Sequence, residues 1–291
     1  MVGLPQGTIA QVETGRAHKQ FVDTVEPDYV LLKIQYARQL LKRGVTADER
    51  FPDGTQVITT TSIRDGINAA LPLEHNGHKR GEWDIVREFE PDHHIPADRS
   101  DYIDFPEEKR YNRVRECMEG TITIANHVAD AGLDTTVLPW IKGVTRDERW
   151  LSYRTIEQLG IDYAVFYANS YFNSQGGNRR RQLIEDLEYI VDESSELMNR
   201  IDSFNICVLN CQSPRLLAEF PDEVVASSGL WVGQNRGWRE TVSPTKQSEE
   251  TIREIFESVD QRVSEALGLA DESSSSVQEA ESAHDETTHA T

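Results

Sequence analysis

The chain has 291 residues, enough for one large domain or two small ones, with 50 acidic residues against 30 basic ones and a formal net charge of −20. This charge and the pI near 4.8 argue against a constitutive basic clamp for nucleic acid and against a surface that binds anionic membranes. Hydrophobic residues make up 37% of the chain and the mean hydropathy is −0.56, so no stretch approaches the ~20 apolar residues of a membrane span. Residues 1–26 also lack the basic start and apolar core of a signal peptide, so we expect a cytoplasmic protein without membrane contact.

Arginine supplies most of the positive charge, because few of the basic residues are lysines. This bias, on a background rich in carboxylates, resembles that of proteins from halophiles that accumulate salt. A strongly hydrated acidic shell keeps such chains soluble when salt screens their self-repulsion. Nucleic-acid binding would then depend on shape, hydrogen bonds and stacking more than on counterion release. The alternative is an ordinary acidic mesophilic protein.

Strand-like and helical patterns alternate along the chain. Residues 28–41 fit a strand or a helix equally well. The strand-like runs are residues 56–61, 84–89 (a weaker candidate), 135–141, 162–167, 204–209 and 223–227. The helical runs are residues 109–131, 146–159, 177–199, 214–220 and 248–267. Three consecutive β–α–β steps predict parallel strands, because a crossover helix returns the chain to the same end of the sheet.

The placement of polar residues favours a (β/α)8 TIM-like barrel over an open sheet. Nearly every predicted strand is followed by a polar or aromatic cluster, and in a barrel all of these converge on the C-terminal mouth. An open sheet would concentrate these clusters at one switch point of the strand order. The chain also has no glycine-rich phosphate-binding motif, which weighs against a nucleotide-binding open sheet. We therefore predict an α/β barrel over residues 26–270, irregular at its N-terminal end, with an N-terminal extension over 1–25 and a disordered acidic tail over 271–291.

The three cysteines do not form a disulfide framework. Cys117, Cys207 and Cys211 allow at most one disulfide, and no His or further Cys lies near Cys207 and Cys211 to complete a zinc tetrahedron. We expect buried thiols, and the sequence predicts neither a metal nor a cofactor.

The densest candidate site is residues 91–98, PDHHIPAD. Its two carboxylates, Asp92 and Asp98, could act as general base or nucleophile, or could recognise a guanine-like edge, because a carboxylate accepts from both the ring N–H and the exocyclic amine. With His93 and His94 the segment could instead hold a metal. In the alternative interpretation Asp92 caps the following turn and the histidines are solvated.

Other candidate residues follow the later strands. Lys142 ends a strand and precedes a glycine, so it could orient a phosphate or a carbonyl, although a strand-end lysine that reaches solvent is an alternative. Arg179, Arg180 and Arg181 could grip phosphates beside aromatic side chains, or could pair with nearby carboxylates at a solvated helix start. The remaining predicted substrate-binding residues are Asn169, Tyr171, Asn210, Gln212, Ser227, Ser228 and Trp231.

This order of features resembles the tRNA-guanine transglycosylase superfamily, in particular its divergent branch that inserts 7-deazaguanine bases into DNA. The resemblance covers residues 57–238 and rests on order and local pattern. VLPWIKG is similar to the strand that lines the family's base pocket, with Lys142 where a glutamine is expected. NICVLNCQSPRLLAEFPDEVVASSGLWVG resembles the late strand, loop, helix and strand. PDHHIPAD falls where the family keeps the acidic residue that reads the guanine edge.

The resemblance implies that an aspartate attacks the anomeric carbon and releases guanine, and that the incoming base resolves the glycosyl-enzyme. Where the family has this aspartate the chain has Ala226, and Asp65 is the only substitute for a second catalytic aspartate. The family's zinc signature is also absent. Either another carboxylate such as Asp92 or Asp98 does the work, the alignment is displaced, or the barrel has lost the reaction.

The leading hypothesis is therefore a barrel that binds a purine nucleotide in nucleic acid, DNA rather than tRNA, and exchanges guanine for a 7-deazaguanine base. Asp92, Asp98 and Asp65 are its predicted catalytic residues. The second hypothesis is a metal-dependent barrel hydrolase that uses His93, His94 and Asp98. The third is a catalytically inert barrel that binds purines or nucleic acid.

Overall fold

The computed structural model describes residues 3–62, 72–74, 80–172, 179–198, 204–232 and 242–269. Within these ranges, parallel strands form one curled sheet of eight strands. The strands are β1 (Gly7–Val12), β2 (Tyr29–Lys33), β3 (Gln56–Thr60), β4 (His93–Ile95), β5 (Thr136–Val137), β6 (Tyr163–Tyr167), β7 (Asn205–Leu209) and β8 (Val224–Leu230). Their order is β5-β4-β3-β2-β1-β8-β7-β6, so β1 pairs with β8 as well as with β2. This order matches that of a (β/α)8 barrel.

Helices connect the strands and cover one face of the sheet. They are α1 (Arg16–Val25), α2 (Ile34–Leu41), α3 (Ala47–Arg50), α4 (Glu82–Phe89), α5 (Glu107–Ala131), α6 (Arg146–Leu159), α7 (Arg180–Leu197), α8 (Pro214–Leu217) and α9 (Glu249–Ala266), with a 3-10 turn at Ala168–Tyr171. Local sequence explains their ends: Thr145 accepts a hydrogen bond from the N–H of Glu148 at the start of α6, and Gly160, with φ of 64°, ends it. No helix in the described ranges is long and apolar enough to cross a membrane.

The two faces of the sheet carry separate cores. Ile9, Leu31 and Ile58 belong to an inner cluster, which also includes Ile95, Val165, Cys207 and Ala226. Residues one step along the strands, such as Ala10 and Val30, pack under the helices instead. Because successive side chains of a strand point to opposite faces, this alternation decides which residues can face the interior of the curl.

Two backbone hydrogen bonds join the segment after β5 to β6, the two strands at the ends of the sheet order. The N–H of Val165 donates to the carbonyl of Pro139 at 2.8 Å, and the N–H of Ile141 donates to the carbonyl of Val165 at 2.9 Å. Trp140 forms a parallel bridge with Val165.

The parallel sheet and the long helices agree with the sequence prediction, and α6 has the predicted bounds. The predicted strand over residues 84–89 is wrong, because these residues belong to α4. Residues 28–41 contain both of the predicted alternatives in succession, β2 and then α2. The strand predicted over residues 135–141 is reduced to β5, since Pro139 has no N–H to donate to a ladder.

The N-terminal residues contribute to the sheet. β1 lies between β2 and β8, so the sheet begins before the predicted domain boundary at residue 26. The predicted tail over residues 271–291 lies outside the described residues. All three cysteines are free and buried, as expected.

Candidate functional site

Lys142 and two aspartates, one buried and one half-buried, form a charged cluster at the C-terminal ends of the strands. Lys142 Nζ lies 2.6 Å from Asp98 Oδ1 and 3.3 Å from Asp101 Oδ1. The other oxygen of Asp101 accepts a hydrogen bond from the N–H of Gly143 at 2.8 Å. Lys142 and Asp98 are each only 8% exposed. Asp98 follows β4 and Lys142 follows β5, so the sheet brings together two of the residues that the sequence predicts.

Lys142 is a fixed cation. Burial lowers the pKa of its ammonium, but the carboxylates of Asp101 and Asp98 outweigh burial and hold this pKa well above the ordinary value of 10.5. The ring of Trp140, whose centroid lies 5.1 Å from Nζ, adds a cation–π contact. Lys142 can therefore donate hydrogen bonds at neutral pH, and it is not available as a base or an amine nucleophile.

Glu82 holds the turn that leads into Asp98. Ala97 has φ of 53°, a left-handed conformation that costs an L-residue roughly 1–2 kcal/mol. Its N–H donates to Glu82 Oε1 at 2.8 Å, and the same oxygen lies 3.1 Å from His94 Nε2. His94 Nδ1 in turn lies 2.8 Å from Thr59 Oγ1. All of these side chains are buried, so the network offsets the strain at Ala97.

Two further hydrogen bonds fix the same turn. Thr61 Oγ1 accepts from the N–H of Asp98 at 2.8 Å, and the indole N–H of Trp140 donates to the carbonyl of Pro96 at 3.0 Å. Asp98 is thus positioned by its backbone as well as by Lys142.

The aromatic ring of Tyr167 lies beside the cluster of Lys142, Asp98 and Asp101. The ring meets that of Trp140 edge to face, with centroids 6.4 Å apart. Burial raises the pKa of its hydroxyl, an effect that the side chain of Ser62 partly opposes, and Asp98 and Lys142 lie within electrostatic range of this hydroxyl. The site therefore offers an aromatic surface next to its charged groups.

Asp92 and His93 lie at the other end of β4 from Asp98. Asp92 Oδ2 accepts a hydrogen bond from the N–H of Val57 at 2.7 Å, which joins the starts of β3 and β4. His93 Nε2 lies 3.0 Å from Gln56 Oε1, and burial lowers the pKa of its imidazole to about 4. The structure therefore separates the two carboxylates that the sequence analysis placed in one site.

The geometry contradicts the ligand set of the metal-hydrolase hypothesis. His93 and His94 are consecutive strand residues, so their side chains point to opposite faces, and His94 packs toward Glu82 of α4. Asp98 lies beyond the end of the strand. These three side chains cannot meet at one ion. Among the described residues, no group of three or more His, Cys, Asp or Glu side chains is arranged to hold a metal.

A second polar group lies at the ends of β7 and β8. Ser228 Oγ accepts a hydrogen bond from the N–H of Asn210 at 3.2 Å. Gln212 Nε2 donates to backbone carbonyls of β1 and β8, each at 3.3 Å. A Cβ at Gly229 would lie 2.4 Å from Gln212 Oε1, so only glycine leaves room for this side chain. Three predicted substrate-binding residues are thus brought together here.

Ser227 and Trp231 lie away from this group. Ser227 is in register with Thr8 of β1, and it occupies the face of β8 opposite to that of Ser228. Trp231 packs in the outer core against the rings of Phe21 and Phe256, at centroid distances of 6.0 Å and 4.8 Å.

Asn169 and Tyr171 lie in the 3-10 turn after β6. Asn169 is exposed, whereas the Tyr171 hydroxyl donates to Asp186 Oδ2 of α7 at 2.5 Å. Burial, with Asp186 beside it, raises the pKa of the Tyr171 hydroxyl well above its ordinary range. Tyr171 is therefore engaged with α7.

Two of the three arginines predicted to contact phosphates already pair with carboxylates. Arg180 pairs with Glu219, and Arg181 Nε lies 2.7 Å from Glu185 Oε1. Arg179 also has a partner. A phosphate would have to displace these contacts. The predicted catalytic residue Asp65 lies outside the described residues.

Sequence reasoning missed two residues of the site. Asp101 stands three positions after Asp98, and the strand-end clustering that singled out Asp98 could have been extended to it. The sequence pattern did not single out Glu82. Residues 84–89 were predicted as a strand, so Glu82 fell outside any predicted element.

No protein-family model and no curated protein matches this chain.

Proposed function

We propose that the protein is a closed (β/α)8 barrel whose C-terminal mouth binds a purine nucleotide of nucleic acid and exchanges guanine for a 7-deazaguanine base. The hydrogen bonds of Val165 with Pro139 and Ile141 support closure between β5 and β6. The observation that carries the functional proposal is the buried contact between the Lys142 ammonium and the Asp98 carboxylate.

This pair matches the hydrogen-bonding edge of guanine. Guanine presents the ring N–H and the exocyclic amine as donors, next to a carbonyl acceptor. A carboxylate at Asp98 can accept from the two donors, and the protonated Lys142 can donate to the carbonyl. The neighbouring ring of Tyr167 offers a stacking surface. The incoming 7-deazaguanine base has the same edge, so both bases would use one set of contacts.

The proposed reaction has two steps. A carboxylate forms a bond to the anomeric carbon while the bond to N9 of guanine breaks, and the departing guanine takes a proton from solvent. The incoming base then releases a proton to solvent, its ring nitrogen bonds to the anomeric carbon, and the carboxylate leaves. We assign Asp98 to base recognition. Asp65, which the sequence offers as a second catalytic aspartate, is our proposal for the nucleophile. Asp92 is not assigned, because its carboxylate hydrogen-bonds the start of β3.

The polymer contact is proposed to be DNA rather than tRNA. A base in duplex would have to leave the stack, at a cost of roughly a few kcal/mol, and aromatic contact in the mouth would offset part of that cost. Arg179, Arg180 and Arg181 would contact phosphates, and Arg180 and Arg181 would have to exchange their present carboxylate partners.

A second candidate is a barrel that binds purines without turnover. Ala226 favours this candidate. It lies on β8 in the inner cluster, at the position where the resembled family has its nucleophilic aspartate, and alanine cannot act as a nucleophile. The two candidates share the Asp98–Lys142 site and differ only in catalysis.

The test follows release of labelled guanine from DNA and from tRNA in high potassium chloride, with and without 7-deazaguanine bases. We expect base-dependent release from DNA that Asp98→Asn reduces at least a hundredfold, because the carboxamide keeps one acceptor oxygen and places a donor where the second donor of guanine needs an acceptor. Asp92→Asn is the matched control at the opposite end of β4 and should retain wild-type exchange. Guanine binding without release would select the inert barrel, and wild-type exchange by D98N would refute the assigned site.

A further inference from the structure

A cavity lies at the N-terminal ends of β1 and β2, at the opposite end of the sheet from the mouth. Its volume is about 280 Å³, close to the lower limit of roughly 300 Å³ for sites that bind small molecules. It is lined by residues 6–8, by residues 25–28 and by the C-terminal half of α9 with Leu269 after it. We call it the lower cavity.

The lower cavity is acidic. Glu26, Asp28, Glu257 and Asp260 line it, and no lysine, arginine or histidine is among the described residues that do so. Helix α1 also ends at the cavity, so its last carbonyl groups add partial negative charge. Burial raises the pKa of the Asp260 carboxyl; the neighbouring Thr8 hydroxyl opposes this effect and Asp28 adds to it. A bound cation would offset the repulsion among these carboxylates.

Thr8 adds an unsatisfied hydroxyl to the lining. The residue is 5% exposed, and its Oγ1 atom makes no hydrogen bond within the described part of the chain. Ile9 belongs to the inner core, so the adjacent Thr8 points to the outer face of β1, where Asp260 of α9 lies. A buried polar atom without a partner is unfavourable, and it indicates a ligand that donates a hydrogen bond to it.

The lining favours an organic cation over a metal ion. Val25, Phe256 and Leu269 contribute apolar surface, which supplies no ligand to a metal. In the described ranges, no group of three or more His, Cys, Asp or Glu side chains is arranged to hold a metal. An aliphatic chain that carries ammonium groups meets both parts of the lining, because its N–H groups donate to oxygens and its methylene groups pack against apolar side chains.

We propose that the lower cavity binds an aliphatic polyamine, whose ammonium groups pair with Asp260 and the neighbouring carboxylates and donate one hydrogen bond to Thr8 Oγ1. The methylene groups pack against Val25, Phe256 and Leu269. This inference is independent of the proposed function, because the charged cluster of Lys142 and Asp98 lies at the other end of the sheet. Since β1 and α9 both border the cavity, the ligand would join the two ends of the described chain and stabilise the fold.

The experiment titrates spermidine into the full chain by calorimetry, in potassium chloride at the lowest concentration that keeps the protein folded. We expect saturable binding of one spermidine per chain and a rise of the thermal unfolding midpoint. Asp260→Asn should weaken binding at least tenfold, because it removes a charge-assisted contact, and Thr8→Val about fivefold, because it removes one hydrogen-bond acceptor. Glu254→Gln is the matched control: it removes the same charge at an exposed position of α9 outside the cavity and should bind spermidine as the wild type does.

The controls separate a specific site from the attraction that a chain of net charge −20 exerts on any polycation. Equal weakening in D260N and E254Q would show diffuse attraction and refute the inference. Wild-type affinity in T8V would also refute it, since valine preserves the shape of threonine and removes only the hydroxyl. Butanediol, a neutral chain, should not bind, and binding of butanediol as tight as that of spermidine would contradict a cation site.

Discussion

His93 is a buried imidazole whose ionisation couples stability to pH. Burial lowers its pKa to about 4 in the folded protein, against 6.5 ordinarily. Between these values the unfolded chain binds more protons, so this residue makes unfolding easier as pH falls from 6.5 toward 4. At 1.36 kcal/mol per pKa unit the effect reaches about 3 kcal/mol. Denaturant unfolding should show that the free energy of unfolding of the wild type decreases between pH 6.5 and pH 4, and that the decrease is about 3 kcal/mol smaller in His93→Gln. The same decrease in both proteins would contradict the lowered pKa of His93.

Lys142 should resist chemical modification. Its ammonium is 8% exposed and its pKa is raised by Asp101 and Asp98 against the effect of burial, so little neutral amine is present at pH 8. An acylating reagent followed by mass spectrometry should label Lys19, whose side chain is 56% exposed, far faster than Lys142. Equal labelling of the two lysines would show that the cluster is open or the amine neutral.

Helix α4 supports the site through one carboxylate. Glu82→Leu would leave the N–H of Ala97 and the imidazole of His94 without their buried acceptor. Because each unpaired buried group costs about 1–3 kcal/mol, we expect the free energy of unfolding to fall by about 2–4 kcal/mol and guanine binding to weaken. Denaturant unfolding and calorimetry measure both effects.

Glu88 provides the comparison on the same helix. It pairs with Arg80 at the surface, so Glu88→Gln should change stability by less than about 0.5 kcal/mol and leave binding unchanged. If E82L behaves like E88Q, the turn at Ala97 does not depend on Glu82.

The elements show what the sequence could predict. The predicted bounds of helix α6 are confirmed, and local sequence accounts for them: Thr145 and Glu148 form a capping box, and Gly160 ends the helix. Helix α4 was mistaken for a strand because Ile85 and Val86 are β-branched, although the spacing to Phe89 fits a helix turn.

The candidate site was predictable only in part. The sequence predicted Asp98 and Lys142 as site residues because each follows a predicted strand, but it did not predict that they contact each other. Their contact spans 44 residues of chain and depends on the pairing of β4 with β5 and on the turn at Ala97. The opposite placement of His93 and His94 follows from strand alternation once β4 is located, whereas the sequence left those residues in a polar loop.

The whole molecule carries a formal charge of −20, and this sets an expectation for salt. Self-repulsion among the carboxylates opposes the compact state and is screened by salt. The thermal unfolding midpoint should therefore rise as potassium chloride increases from about 0.1 M to about 3 M, where the Debye length falls below about 3 Å. A midpoint that falls over this range would exclude a halophilic adaptation.

The most direct test of the central claim is a comparison of guanine, hypoxanthine and adenine as ligands of the wild-type protein, by calorimetry in high potassium chloride. Hypoxanthine lacks the exocyclic amine, and adenine presents a donor where guanine has its carbonyl. If Asp98 and Lys142 read the guanine edge, affinity should decrease from guanine to hypoxanthine and again to adenine, by about tenfold or more at each step. Equal affinities, or a preference for adenine, would contradict a guanine site at this mouth.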